Sequence, residues 1–254
     1  MKLYKYYSVT KNSLGGLINN FVWYSEPKNF NDPFDSALIN NEYLQSISLN
    51  YTKAFCLAEN PYNYLMWSHY ADAHKGFCLE FTDYTDDELD ILKERGIFPK
   101  DTPHDKLAIL RNARPVEYKT IEEIDIYVKD IPQTEAEFEA YFTKLPAAER
   151  EAFLAKIDST SYIKHKDWEY EKEYRIITLD EKNILYPPGK ITAVYFGLKM
   201  PAPDKRSIAL TLDPDLKGAC SLYQMYREKG SSHLKSRPFD KLTDLQGMTI
   251  TYGP

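Results

Sequence analysis

Trp168-Glu169-Tyr170-Glu171-Lys172-Glu173-Tyr174-Arg175-Ile176-Ile177 is the stretch on which the fold turns. Read as a β-strand, it points Trp168, Tyr170, Tyr174 and Ile176 one way, with Lys172 among them, and Glu169, Glu171, Glu173 and Arg175 the other. One face packs and the other concentrates charge. Carboxylates two residues apart on one side of a strand resist ionising together, an arrangement that a cation, a ligand or a reaction makes useful. The plainer reading is a solvated strand face on which Arg175 neutralises its neighbours. The aromatic residues and the closing Ile-Ile weigh against a helix.

Upstream, the chain reads as the first half of an α+β core. Leu3 to Tyr7 has the pattern of a first strand, Ser13 to Asn19 that of a short helix weakened by Gly15-Gly16, and Phe21 to Ser25 that of a second strand. The loop from Glu26 to Asp35 holds Pro27, Asn29, Asn31, Asp32 and Pro33, which turn the chain, with Phe30 and Phe34 set among them. Apolar rings in a polar turn mark a loop pinned to the core. It either presents Asn31, Asp32 and Asp35 at a cleft or caps a helix that follows. Lys53 to Ala58 is a further strand, after which Asn60-Pro61 supplies an N-cap and an N1 proline for a helix to about His74, stopped by Gly76. On that helix Tyr62, Leu65, Met66, His69 and Ala73 share one face, and Trp67, Tyr70, Ala71 and His74 the next. His69 is therefore expected on or beside the apolar face, as a hydrogen-bonded structural residue or as a ligand or catalytic contact. Five residues from His74, it is badly spaced for a shared metal. Gly76 to Phe81 reads as a buried strand.

Between Thr82 and Ser161 the texture turns to charged helices. Capping boxes stand at Thr85/Glu88, Thr120/Glu123 and Thr134/Glu137, Pro146 opens a helix through Ile157, and Pro115 to Lys119 reads as a short strand. The acidic run from Glu135 to Glu139 is a helix surface. The expected organisation is one domain over residues 1–254 with a mainly helical insertion at 82–161. Beyond the quoted stretch, Ile184 to Tyr186, Ile191 to Phe196 and Met248 to Tyr252 read as strands, and Ser207 to Leu212 as a strand or short helix. Arg227, Lys229, His233, Lys235 and Arg237 form either a phosphate-binding patch or a solvated face.

Composition narrows the function classes. A net charge of -6 over 254 residues argues against broad electrostatic binding to nucleic acid. Met1 to Tyr7 has no apolar core of signal-peptide length, and no run reaches about 18 apolar residues, so a cytoplasmic protein without a membrane partner is expected. Cys56, Cys78 and Cys220 are scattered, which indicates buried thiols in place of a disulfide framework or a structural zinc site. The chain carries 21 tyrosines and 12 phenylalanines, rings that suit a half-buried sheet as well as a cleft stacking a planar ligand.

Four motifs in order bear a family likeness: Leu3-Tyr4-Lys5-Tyr6; Phe30-Asn31-Asp32-Pro33-Phe34-Asp35; Leu65-Met66-Trp67-Ser68-His69-Tyr70-Ala71 with His74-Lys75-Gly76-Phe77-Cys78; and Trp168 to Ile176. Together they resemble a bacterial domain-of-unknown-function family numbered 2971, a kinship that supplies no chemistry. The layout also resembles the ADP-ribosyltransferase fold: a polar-aromatic first strand, an aromatic second strand, a helix over the cleft, and a late strand bearing Glu171-x-Glu173, where that fold carries Gln or Glu, any residue, then the catalytic Glu. The fold class this implies is α+β, a mixed, mainly antiparallel split sheet resembling an ADP-ribosyltransferase core, with a helical insertion. Where members of that fold place Arg or His on the first strand this chain has Lys5 between Tyr4 and Tyr6, and Tyr24 and Ser25 stand in for its second motif.

The likeness implies a mechanism. Breaking the nicotinamide–ribose bond of NAD develops an oxocarbenium-like sugar, which a carboxylate stabilises. Glu173 takes that role, Glu171 orients the acceptor, and His69 joins them as a catalytic candidate. Tyr4, Tyr6, Tyr24, Phe30, Trp67 and Tyr70 are the candidate rings around the cofactor, and Lys5, Ser25, Asn31, Asp32 and Arg175 its candidate polar contacts. NAD is then a substrate and the acceptor an unknown macromolecule, in bacterial toxicity or phage defence by analogy. Two alternatives stay open: a non-catalytic module binding a nucleotide or a protein, its carboxylates paired with Arg175 and Lys172, and a magnesium-dependent nuclease using Asp32, Asp35, Glu171 and Glu173.

Overall fold

The computed structural model describes residues 1–32, 35, 41, 52–212, 220–241, 243 and 244. Pro33 and Phe34 of the turn motif, and the expected strand Met248 to Tyr252, lie outside the described residues. The chain begins with β1 (Lys2–Tyr7), α1 (Lys11–Asn19), β2 (Val22–Trp23), β3 (Lys53–Ala58), α2 (Tyr64–Tyr70), β4 (Phe77–Thr82) and α3 (Asp86–Glu94). It continues with β5 (Arg114–Pro115), β6 (Glu117–Lys119), α4 (Ile121–Val128), α5 (Glu135–Lys144), α6 (Ala147–Thr160), β7 (Ile163–His165) and β8 (Glu173–Thr178). Last come β9 (Ile184–Leu185), β10 (Lys190–Phe196), α7 (Ala202–Thr211), β11 (Ser221–Arg227) and β12 (Leu234–Pro238). The class is α+β with mixed, mainly antiparallel pairing. Two compact units share the chain: Met1–Trp23, Leu57–Asn112 and Ile184–Pro254 form the first, Tyr24–Cys56 and Ala113–Asn183 the second. The stretch 82–161, expected as one insertion, is thus divided after Asn112.

In the first unit the strands run in the order β12-β11-β10-β4-β1-β3, antiparallel except for the β10/β11 pair. Phe77 to Phe81 of β4 is buried throughout, as a central strand covered on both faces must be. Tyr84, Leu89, Leu92, Leu107 and Ile109 pack into one cluster. The box that starts α3 is formed both ways, Glu88 N–H donating to Thr85 Oγ1 at 3.2 Å and Thr85 N–H to Glu88 Oε2 at 2.8 Å. The expected second strand shortens to β2, which pairs with β9 in a separate ribbon. Ser207 to Leu212 falls at the end of α7.

Around α2 the structure corrects the sequence reading. The N-cap is Asn63, whose side chain accepts from Leu65 and Met66 N–H, while Asn60 accepts from Tyr62 N–H instead. The helix ends at Tyr70, and Asp72, Ala73 and His74 follow with φ of 45°, 50° and 71°. Gly76 is needed for close approach, since a Cβ there would stand 2.0 Å from the Tyr7 carbonyl oxygen. Trp67, fully buried and edge-on to Tyr6 at 5.2 Å, turns the Met66, Trp67 and Ala71 stripe inward. His69 is exposed, contrary to its expected place on the apolar face.

In the second unit the strand order is β3-β8-β5, with β6 and β7 in a parallel pair of their own. The boxes at Thr120/Glu123 and Thr134/Glu137 start α4 and α5, and α6 follows Pro146. Val128, Ile131 and Ile163 form a core with Ile124, Tyr127, Phe138 and Ile157. The continuous strand expected from Trp168 is overturned: residues 166–171 form a 3-10 helix, Lys172 is left-handed at φ 45°, and β8 starts at Glu173. At three residues per turn, Trp168 and Glu171 come to the same side, and both meet Lys164, the ring at 4.9 Å and the carboxylate at 2.6 Å.

In the tail, β11 and β12 carry the basic cluster as an antiparallel pair. Lys235 meets Glu228 at 2.8 Å and Arg237 meets Asp244 at 2.7 Å, as on a solvated face. Among the described residues no helix is long and apolar enough to cross a membrane.

Candidate functional site

The second unit gathers five charged side chains into its interior. Asp35, Lys164, Glu171, Glu173 and Arg175 have side chains between 1% and 5% exposed. Alternation along β8 puts Glu173 and Arg175 on one face, as the sequence predicts, and that face is the buried one. Arg175 donates from Nε to Glu173 Oε1 at 2.7 Å, from Nη2 to Glu173 Oε2 at 3.0 Å and to both Asp35 oxygens at 2.8 and 2.7 Å, and from Nη1 to the Ser161 carbonyl at 2.9 Å. Lys164, brought in by β7, stands 2.6 Å from Glu171, 3.1 Å from Glu173 and 3.3 Å from Asp35. The Glu173 N–H donates to Tyr118 Oη at 2.8 Å. Phe30 closes one side, its ring 5.3 Å from the Arg175 guanidinium.

Burial alone would raise the Glu173 carboxyl, but the charges of Arg175 and Lys164 outweigh it and hold the group well below its ordinary value. Lys164 is the mirror case. Burial opposes its charge, and Glu173, Asp35 and Glu171 push it far above the usual lysine range. Both partners are therefore ionised at neutral pH. Three carboxylates around one point is what a divalent cation requires, yet here an ammonium occupies that point. Among the described residues no group of His, Cys, Asp and Glu is arranged to hold a metal, and Asp32, the fourth expected ligand, is buried with its carbonyl accepting from Asp35 N–H.

The other residues singled out in the sequence divide between the units. In the second, Tyr24 is fully buried against Phe55 at 5.2 Å, Ser25 bridges to Ala54, and Asn31 is exposed. In the first, Tyr4 and Tyr6 lie on one face of β1 and Lys5 on the other, its Nζ 5.9 Å from the Tyr7 ring. Trp67 donates its indole N–H to the Pro61 carbonyl at 2.8 Å and belongs to the core. Tyr70 meets His69 edge-on at 6.5 Å.

A pocket of about 300 Å³ opens in the first unit, lined by Tyr6 and Tyr70 together with Tyr7, Phe21 and Trp23. Ser8 and Thr10, leading into α1, and Asn12 and Ser13 of its first turn supply its polar groups, the Thr10 hydroxyl accepting from Ser13 N–H as the N-cap of the helix. This volume is at the small end for ligand sites, and the mix of rings with a few polar groups is typical of them.

Residues 66–176 match the family described as Protein of unknown function (DUF2971). No curated protein and no solved structure matches the chain. The matched segment starts inside α2 and ends in β8, so it contains Trp67, His69 and Tyr70 as well as Lys164, Glu171, Glu173 and Arg175. Asp35 and Phe30, which complete the ion cluster, come from before it. Lys164 is the member that sequence reasoning missed. Its one signal is a lysine directly behind Tyr162-Ile163, at the point where the apolar pair gives way to Lys164-His165-Lys166-Asp167.

Proposed function

We propose that the chain is a binding module for a nucleotide-class ligand, whose planar base enters the first-unit pocket, and that the ion cluster of the second unit is scaffolding. The observation that carries this reading is the pocket itself: rings of Tyr7, Phe21, Trp23 and Tyr70 suited to stacking, beside the hydroxyl of Ser8 and the amide of Asn12 suited to a base edge. The cluster, by contrast, has every charged side chain bonded to an opposite charge, three carboxylates around two cations. A buried ion network with each member paired supports a fold more readily than it supports turnover.

ADP-ribosyl transfer from NAD to a macromolecular acceptor is the rival reading, favoured by the convergence of Glu171 and Glu173 on one ammonium. It requires Glu173, 5% exposed and held by Arg175 and Lys164, to be released toward a ribose. One experiment separates the two. Purified protein is titrated calorimetrically with NAD, AMP and adenosine, and nicotinamide release from NAD is followed with cell lysate present, for the wild type and for a folded Glu173→Gln variant. Binding without release, unchanged in the variant, is the expected result. Release that disappears in the variant would replace the module with a transferase, and no binding of any of the three would remove the nucleotide class.

A further inference from the structure

A second polar centre lies in the first unit, on the face of β4 opposite Leu79, where Tyr4 of β1 stands beside Glu80. Glu80 stands in the middle of this central strand, 5% exposed, where an apolar side chain is the rule. Its Oε1 accepts from Lys2 Nζ at 3.0 Å and Thr192 Oγ1 at 2.8 Å, and its Oε2 from Tyr4 Oη and Tyr195 Oη, each at 3.1 Å. Thr192 reaches the carboxylate because the register of β10 against β4 steps between Ile191 and Ala193, making it the extra residue of a bulge. The Tyr195 ring stacks on Tyr223 at 4.9 Å and meets Tyr4 edge-on at 6.0 Å.

The cation is the odd member. In the second-unit cluster Lys164 and Arg175 are as deeply buried as their carboxylates, but here the Lys2 side chain is 62% exposed against 7% for Glu80. Burial would raise the Glu80 carboxyl, but the hydrogen bonds from Lys2, Thr192 and Tyr4 outweigh it and hold the group below its ordinary value, although the ion pair to so exposed a lysine contributes little by itself. A cation held on a flexible exposed stem is also one that a competing cation can displace. Burial, reinforced by Glu80, raises the hydroxyls of Tyr4 and Tyr195, so they stay protonated donors at neutral pH and leave the acceptor role to Glu80.

We propose that Glu80, Tyr4 and Tyr195 form a binding site for a primary alkylammonium ligand, whose place Lys2 takes in this structure. The carboxylate supplies the charge and the hydrogen-bond acceptor, and the Tyr4 and Tyr195 hydroxyls, donating to its Oε2, hold it in place.

The test uses n-butylammonium as probe and follows the backbone amide resonances of β1 and β4. Lys2→Ala removes the internal competitor at an exposed position, so it leaves folding out of the question. It is expected to bind the probe about two- to fivefold more tightly than the wild type, the factor that matches an exposed ion pair. Glu80→Gln, checked for native circular dichroism, is expected to lose binding at least tenfold, and tetramethylammonium, which has no N–H to donate, to bind more weakly than butylammonium. Equal affinity in the wild type and Lys2→Ala, unchanged binding in a folded Glu80→Gln, or parity of the two ammonium ions would each overturn the proposal.

Discussion

Glu173 and Arg175, two residues apart on β8, are joined by a two-pronged ion pair, Nε to Oε1 at 2.7 Å and Nη2 to Oε2 at 3.0 Å, with both side chains nearly sealed from solvent. Removing one partner of such a pair strands a buried charge. Arg175→Met is accordingly expected to destabilise the protein by about 3–5 kcal/mol, read as a drop in the urea midpoint. The double variant with Glu173→Gln should lose less than the sum of the two single changes, because the stranded charge is gone.

Acid should loosen the same cluster. The Glu173 carboxyl lies below its ordinary 4.5 in the folded chain, so its ionised form is favoured by folding. That contribution is complete above pH 4.5 and is lost as pH falls from there toward the lowered folded value. Denaturant midpoints measured from pH 7 down to pH 3 should fall, and the fall should be shallower in Glu173→Gln. Equal slopes would show that Glu173 takes no part in the acid response.

The turn after α2 gives a prediction of the opposite sign. Ala73 is exposed and has φ of 50°, a left-handed conformation that an alanine adopts at about 1–2 kcal/mol and a glycine freely. Ala73→Gly should stabilise by roughly 0.5–1 kcal/mol after the added freedom of the unfolded glycine is subtracted. Gly76→Ala should do the reverse, since its Cβ would meet the Tyr7 and Ala71 backbone. Thermal melts of the two variants should move in opposite directions.

What the sequence made legible were the local signals. The Thr85, Thr120 and Thr134 boxes each need a partner three residues away, and all three form. Lys53 to Ala58 and Ile191 to Phe196 stand out by their apolar runs, and the strands found are Lys53–Ala58 and Lys190–Phe196. The stretch from Trp168 is ambiguous in sequence because alternating ring and charge fits a strand, while residues three apart, such as Trp168 and Glu171, fit a 3-10 turn equally well. Lys164 went unseen for a different reason: its partners lie 7, 9 and 129 positions away along the chain. The Glu80 centre is less visible still, since Lys2, Tyr4, Thr192 and Tyr195 come from strands paired across more than 70 positions. Asn60 and Asn63 satisfy the same capping rule, each being followed by a helical run, and the folded chain uses Asn63.

Tyr70 joins α2 to the pocket and offers the sharpest check on the binding reading. Stacking of a base on an aromatic ring contributes about 1–3 kcal/mol by alanine substitution, so Tyr70→Ala should weaken binding of the responding nucleotide roughly five- to 150-fold. Calorimetry reads the change, and circular dichroism verifies the fold. Because Tyr70 is half-buried at the end of a short helix and Trp67 carries the packing, the fold should survive. Glu173→Gln should leave the same affinity unchanged, its partners being Arg175, Lys164 and Tyr118 in the second unit. Loss of binding in Glu173→Gln with retention in Tyr70→Ala would move the site from the aromatic pocket to the ion cluster.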